Sequence, residues 1–219
     1  DEADNSDHTT YRPNIVTLNF RGYSDSTSTC VTINQYAFAY LTALTSNIEI
    51  PNSVQTIGGY AFYGCSATQA IIIGNATNSS YIRTIGEYAF KDCTKVATIA
   101  VHAMVETENS SVINKYIGES AFENCGCDNT AAATTTLPKT IVIDDGITII
   151  EDSAFYNCSK SLAIIIGTAT NSSYIRTIGN SAFKNCLMAA TIAVHAKPES
   201  GVTKTIDVIA FMNCGDDNT

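Results

Sequence analysis

Apolar positions recur along this chain in two alternating rhythms. Around Ile71 to Ile73, Ile99 to Val101, Ile164 to Ile166 and Ile192 to Val194, every second residue shares one apolar face. That is the period of a half-buried strand. The pairs Val54/Ile57, Ile82/Ile85, Ile147/Ile150 and Ile175/Ile178 mark a second apolar segment, and each is followed by Ala-Phe and then a Cys. Phe and Cys stand three residues apart, a spacing that predicts a short helical turn with both on one side. Gly58, Gly86, Gly118 and Gly179 precede this turn, where a flexible backbone is expected to ease the change of direction.

The second rhythm resolves into seven copies of one motif: INQYAFAYL, IGGYAFYGC, IGEYAFKDC, IGESAFENC, IEDSAFYNC, IGNSAFKNC and IDVIAFMNC, starting at Ile33, Ile57, Ile85, Ile117, Ile150, Ile178 and Ile206. The starts are 24, 28, 32, 33, 28 and 28 residues apart. A unit this short cannot bury its own apolar face, so neighbouring units must cover one another in a stack. The expected core ladders are Phe38, Phe62, Phe90, Phe122, Phe155, Phe183 and Phe211, with Cys65, Cys93, Cys125, Cys158, Cys186 and Cys214 beside them. Leu41 fills the cysteine slot of the first unit, and Cys30 also reads as core. A longer copy overlies the short one: residues 71–103 return as residues 164–196, offset by 93.

These motifs resemble the BspA-like leucine-rich repeats of bacterial and protist surface proteins. The clearest copy is IPNSVQTIGGYAFYGC, from Ile50 to Cys65, and the resemblance covers about residues 30 to 214. It departs from the pattern at Leu41, in the scarcity of strand-exit proline and in long strand-exit inserts. The resemblance implies a right-handed repeat solenoid, mainly β with short helical turns, and an extracellular or cell-surface role. It supplies no ligand. The domain reading is a polar segment and cap strand at 1–29, then one leucine-rich-repeat solenoid at 30–219.

Composition narrows the function. A hydrophobic share of 45% can fill such a core, and only 12 Lys and Arg against 21 Asp and Glu leave a net charge of −9. An acidic chain with scattered cations excludes nucleic acid and anionic membrane as partners. No apolar run is long enough to span a bilayer. The polar start, DEADNSDHTT, reads as the beginning of a mature chain. Sequons at Asn75, Asn78, Asn109, Asn157 and Asn171 suggest secretion. The inserts carrying Asn75, Asn78, Asn109 and Asn171 should share one rim, where glycans would cluster, whereas Asn157 lies beside the buried Cys158 slot.

Chemistry has little purchase here. His102 and His195 are copies of one repeat position, so the fold is expected to set them, and His8 lies in a polar tail. Asp144–Asp145 and Asp216–Asp217 lack a calcium-loop pattern and read as solvated turns. The cysteine spacing follows the repeat rather than a zinc or redox motif, and parallel stacking disfavours disulfides, so ladder thiols are expected. Cys127, copied as Asp216, reads as wet. The expectation is therefore a non-enzymatic protein with no cofactor or metal. Its partners would be proteins or glycans at a cell surface, or copies of itself in a filament or layer. The candidate interface is the outward strand row Ile72, Ala100, Val142, Ile165 and Ala193, led by Glu49. The end after Cys214 offers a second, because no amphipathic cap covers Phe211 before Thr219.

Overall fold

The computed structural model describes residues 14–20, 31–76, 80–109, 111–127, 139–168 and 173–215. Cys30, His8, Asn78, Asn171, Asp216, Asp217 and Thr219 lie outside them. Every repeat but the last contributes one strand to each of two parallel sheets, and among the described residues the last enters only the second. The long sheet runs through Ile48–Ile50, Ala70–Ile73, Thr98–Val101, Thr140–Ile143, Ala163–Ile166 and Thr191–Val194. The short sheet runs through Thr32–Ile33, Thr56–Ile57, Thr84–Ile85, Tyr116–Ile117, Ile149–Ile150, Thr177–Ile178 and Thr205–Ile206. Equivalent residues pair directly, as in Ile71↔Ile99 and Ile85↔Ile117, so each column of the repeat becomes a physical ladder.

The core lies between the sheets. Ile71, Ile73, Ile141, Ile143, Ile164 and Ile166 point inward from the long sheet and are at most 0% exposed. Val54, Ile82, Ile147 and Ile175 are buried from the second segment, together with the inward Ile of each short strand from Ile33 to Ile178. Phe rings then stack along the axis: Phe62–Phe90, Phe90–Phe122, Phe122–Phe155 and Phe155–Phe183 have centroids 4.9–5.0 Å apart and interplanar angles of 2–7°. That distance is the strand separation of a sheet, so the backbone sets the ring spacing. At the N-terminal end, Val16 C=O accepts the N–H groups of Thr45 and Ser46, and Phe20 meets Phe38 edge-on at 5.9 Å. Residues 14–20 thus cover the first repeat without joining either sheet.

The expected helical turn is not a helix. Ala61, Tyr63 and Cys65 donate N–H three residues back to Gly58, Tyr60 and Phe62 at 3.1–3.3 Å. The alternate residues Tyr60, Phe62 and Gly64 donate instead to Glu87, Ala89 and Lys91 of the next repeat, at 2.7–3.0 Å. An α-helix would direct every N–H inward along its own axis and would not tolerate the left-handed residues seen here, Tyr60 at φ 57° and Gly64 at φ 68°. The segment is a chain of tight turns forming a third hydrogen-bonded side. Gaining a partner across the stack outweighs completing a local helix.

The glycines ahead of this side also play a different part from the one expected. None of Gly58, Gly86, Gly118 and Gly179 has positive φ. A Cβ on Gly58 would stand 2.5 Å from Gln35 N, and one on Gly86 would stand 2.6 Å from Gly59 N. They permit close approach of stacked backbones. Asn34, Glu151 and Asp207 fill the same slot in three repeats, so the requirement does not hold at every junction.

The cysteine slot has a polar reason as well as an apolar one. Each Sγ donates to the Phe carbonyl of the preceding repeat: Cys93 to Phe62, Cys125 to Phe90, Cys158 to Phe122, Cys186 to Phe155 and Cys214 to Phe183, at 3.0–3.5 Å. Cys65 does the same to Phe38 at 3.3 Å. Burial raises the thiol pKa of Cys158, which keeps it protonated as a donor. Leu41 opens the ladder, with no Phe of an earlier repeat to satisfy.

Phe122 is 0% exposed and has a ring on either face. Phe122→Ala is expected to cost about 3–5 kcal/mol, because the backbone ladder holds the cavity open. Urea unfolding of the two chains measures this, and a loss under about 1 kcal/mol would show that the stack does not depend on its central ring.

Candidate interaction surfaces

The outward positions of the long sheet fall into one row. Glu49, Ile72, Ala100, Val142, Ile165 and Ala193 pair in continuous register across its six strands. Ile72, Val142, Ile165 and Ala193 are half-buried and Glu49 is exposed. Ala100 differs from the expected open stripe: it is only 8% exposed, its methyl sitting low between the larger Ile72 and Val142. The stripe is therefore continuous in backbone but dips at its centre.

Two residues along each strand, the sheet exits carry the histidines and the acidic pair. His102 Nδ1 lies 3.1 Å from Asp144 Oδ2, and both side chains are less than one-fifth exposed. Asp145 Oδ1 accepts the Thr168 N–H at 3.1 Å, and burial raises the Asp145 pKa. These carboxylates are engaged turn residues rather than the solvated ones expected. They diverge, and no group of three or more His, Cys, Asp or Glu among the described residues is placed to hold a metal. The His102 carbonyl accepts Ser80 N–H, as His195 accepts Ser173, so both positions anchor an insert.

The inserts leave equivalent strand exits. Asn75 is exposed just beyond Ile73. Asn109, also exposed, sits at φ 50° in a small antiparallel hairpin, Thr107–Glu108 with Ser111–Val112. Asn157 is different: its Nδ2 donates to Asn124 Oδ1 at 2.9 Å, and Asn124 donates in turn to Asp92 at 2.7 Å. The acceptor nitrogen of that sequon is tied into a side-chain ladder. Cys127 is half-buried.

One cluster escaped the sequence reading. Glu106, on the hairpin insert, meets Arg83 at 3.3 Å and the fully buried Lys115 at 2.9 Å. Glu199 repeats the arrangement with Arg176 at 3.2 Å and Lys204 at 3.3 Å. Arg83/Arg176 and Glu106/Glu199 are both offset by 93 residues, a signal visible in the duplication. The partner lysines are not offset alike, because the second insert is shorter. Burial pushes the Glu106 carboxyl up, but the hydrogen bonds from Arg83 and the nearby Lys115 charge outweigh it and the pKa falls. Burial also lowers Lys115, with Glu106 partly compensating. The clusters clamp the inserts against the stack.

A stack of parallel strands with in-register Phe and Cys ladders matches one family. The model of the BspA-type leucine-rich repeat region matches residues 23–135 and 115–216. The chain belongs to the BspA-type leucine-rich repeat family. Solved structures resemble it more loosely. A leucine-rich repeat protein of Bacteroides ovatus is 25% identical with a TM-score of 0.49, over 75% of this chain and 35% of that one. A leucine-rich cell surface protein of Faecalibacterium prausnitzii is 21% identical with a TM-score of 0.37, over 76% of this chain and 43% of its own. A Treponema pallidum leucine-rich repeat protein is 19% identical with a TM-score of 0.45, over 84% and 81%. No curated protein matches the chain. This BspA-type chain thus spans about a third of the Bacteroides ovatus protein's length. Among the described residues no helix is long and apolar enough to cross a membrane.

Glu106→Gln should cost about 1–3 kcal/mol, since the buried Lys115 would lose its counter-charge. The lowered carboxyl contributes stability above its ordinary pKa of about 4.5, and that contribution disappears as pH falls through the folded value. The gap between wild type and variant should therefore close in acid. Thermal unfolding from pH 7 down to pH 3 tests it, and a gap that persists at the acid end would contradict the assignment.

Proposed function

We propose that this BspA-type chain is a non-enzymatic scaffold working outside the cell, holding a partner protein or glycan against the outer face of its long sheet. The observation that carries this reading is the row Ile72, Ala100, Val142, Ile165 and Ala193: apolar, continuous in register, and not required by the core on the opposite face. An apolar strip with small residues at its middle and end suits a convex or extended partner. The extracellular setting draws on the family and on the exposed sequons at Asn75 and Asn109. Glycans would then sit on Asn75 and Asn109, and intact-glycopeptide mass spectrometry finding Asn157 modified while those two are bare would contradict the arrangement.

Replacing Ile72 and Ile165 by Lys tests the surface. Both are half-buried, so the variant should stay folded while binding to intact cells, read by flow cytometry of labelled chain, falls by more than about tenfold. Undiminished binding would remove the long sheet from the proposal.

A second reading, self-association into a filament or layer, draws on two apolar residues in outward columns. Val208 and Met212 are 97% and 47% exposed. Val208 and Met212 occupy columns where the fourth repeat carries Glu119 and Glu123. Light scattering decides between the readings: a mass that climbs with concentration and returns to monomer with Val208→Lys supports assembly, and a constant monomer leaves the scaffold alone.

A further inference from the structure

The two copies of the duplicated block share a backbone but not a surface. Near the entry to the long strands, Gln69, Thr94 and Lys95 of the first copy return 93 residues later as Leu162, Leu187 and Met188. Both copies stack in the same register, Ala70 on Thr98 and Ala163 on Thr191. The residue after Lys95 and the one after Met188 point inward alike, with Val96 4% and Ala189 6% exposed. The core is therefore closed in each copy, and the polar first copy shows that the fold does without three apolar side chains here. Leu162 is 44% exposed, and Leu187 and Met188 are half-buried.

Hydrogen bonds between neighbouring levels bring these side chains beside two cations. Leu162 N–H donates to Lys139 C=O at 2.7 Å, and Leu162 C=O accepts the Ala190 N–H at 2.9 Å. Met188 N–H donates to Ser159 C=O at 3.2 Å, which sets Met188 against the level of Lys160. Lys139 and Lys160 are both half-buried. Among the described residues neither has an ion pair, whereas Arg83, Lys91, Lys115, Arg176 and Lys204 all do. In a chain of net charge −9, two unpaired ammonium groups beside an exposed leucine attract a carboxylate from outside the fold.

We propose that Leu162, Leu187 and Met188, with Lys139 and Lys160, form a docking site for an acidic, leucine-bearing segment of a partner protein. The apolar part spans only two levels of the stack, a width that suits one segment of chain rather than a broad face. Apolar contact would supply the affinity, and the lysines would select carboxylate over ammonium neighbours. The proposal goes beyond the long-sheet reading, because none of these residues belongs to the outward row.

The probe is a short peptide of alternating glutamate and leucine, compared by fluorescence anisotropy with one carrying serine for leucine and one carrying lysine for glutamate. Wild type should bind the first about tenfold more tightly than either of the others. The variant Leu162→Gln, Leu187→Thr and Met188→Lys copies the first block, so it should fold, and it should lose that binding by about tenfold although it gains a positive charge. Lys139→Gln with Lys160→Gln leaves the apolar residues in place and should erase the preference for glutamate over lysine. No binding by wild type, equal affinity for the lysine peptide, or unchanged binding by the triple variant would each overturn the assignment. Light scattering supplies one further outcome: a wild-type mass that doubles with concentration while the triple variant stays monomeric would make a second copy the occupant and overturn the partner segment. The readout is a purified peptide rather than a cell, so this site and the long-sheet reading can fail independently.

Discussion

Everything in this molecule follows from the separation between one repeat and the next, which the parallel hydrogen-bonded ladders hold at the spacing of a sheet. Three sides of each coil make such bonds: the long strands, the two-residue strands, and the turn segment whose alternate N–H groups reach across, as Phe62 does to Ala89 at 2.7 Å. With all three sides locked to one spacing, identical side chains stack on their own copies. The Phe rings have no freedom to find a better distance than about 5 Å, and the glycines must let backbone pass within that distance of backbone.

That constraint sorts the columns by what they must satisfy. An inward column needs the same volume at every level, hence Phe after Phe and Ile after Ile. A column beside a buried carbonyl needs a small donor, and a thiol supplies it while still packing as an apolar group. The thiol-to-carbonyl bond explains why the slot takes Cys rather than Ala or Val, and why Leu41 appears only at the start. The left-handed column just before it takes Asn in the last four repeats, whose side chain bonds to its own copy, as Asn157 does to Asn124 and Asn213 to Asn185. Such ladders add a polar side-chain contact per level without any long-range design.

Function must be sought in what the ladders leave unconstrained. The long sheet's outward row and the two clamped inserts vary in ways that the core does not ask for. The inserts are held by charge, with Glu106 between Arg83 and the buried Lys115, so a loop built on a strand exit becomes a rigid part of the surface. Membership of the BspA-type family agrees with a scaffold whose side chains can change while the coil persists.

Periodicity by itself determined the repeat, its boundaries, the identity of the buried columns and the outward row, because each follows from alternation along a strand and from equivalence between copies. Ile72 and Ile165 could be placed in one row from their shared offset to the preceding Cys, Cys65 and Cys158. Tertiary structure decided the rest. Whether Phe62 and Cys65 sit on a helical turn or a bent ladder depends on a hydrogen-bond partner in the next repeat, which no local spacing reveals. The same holds for the part played by Gly58, for the acceptor of the Cys93 thiol, for the depth of Ala100 between its neighbours and for the meeting of Glu106 with Lys115. Each of these is a contact between levels of the stack, set by distance across the axis rather than along the chain.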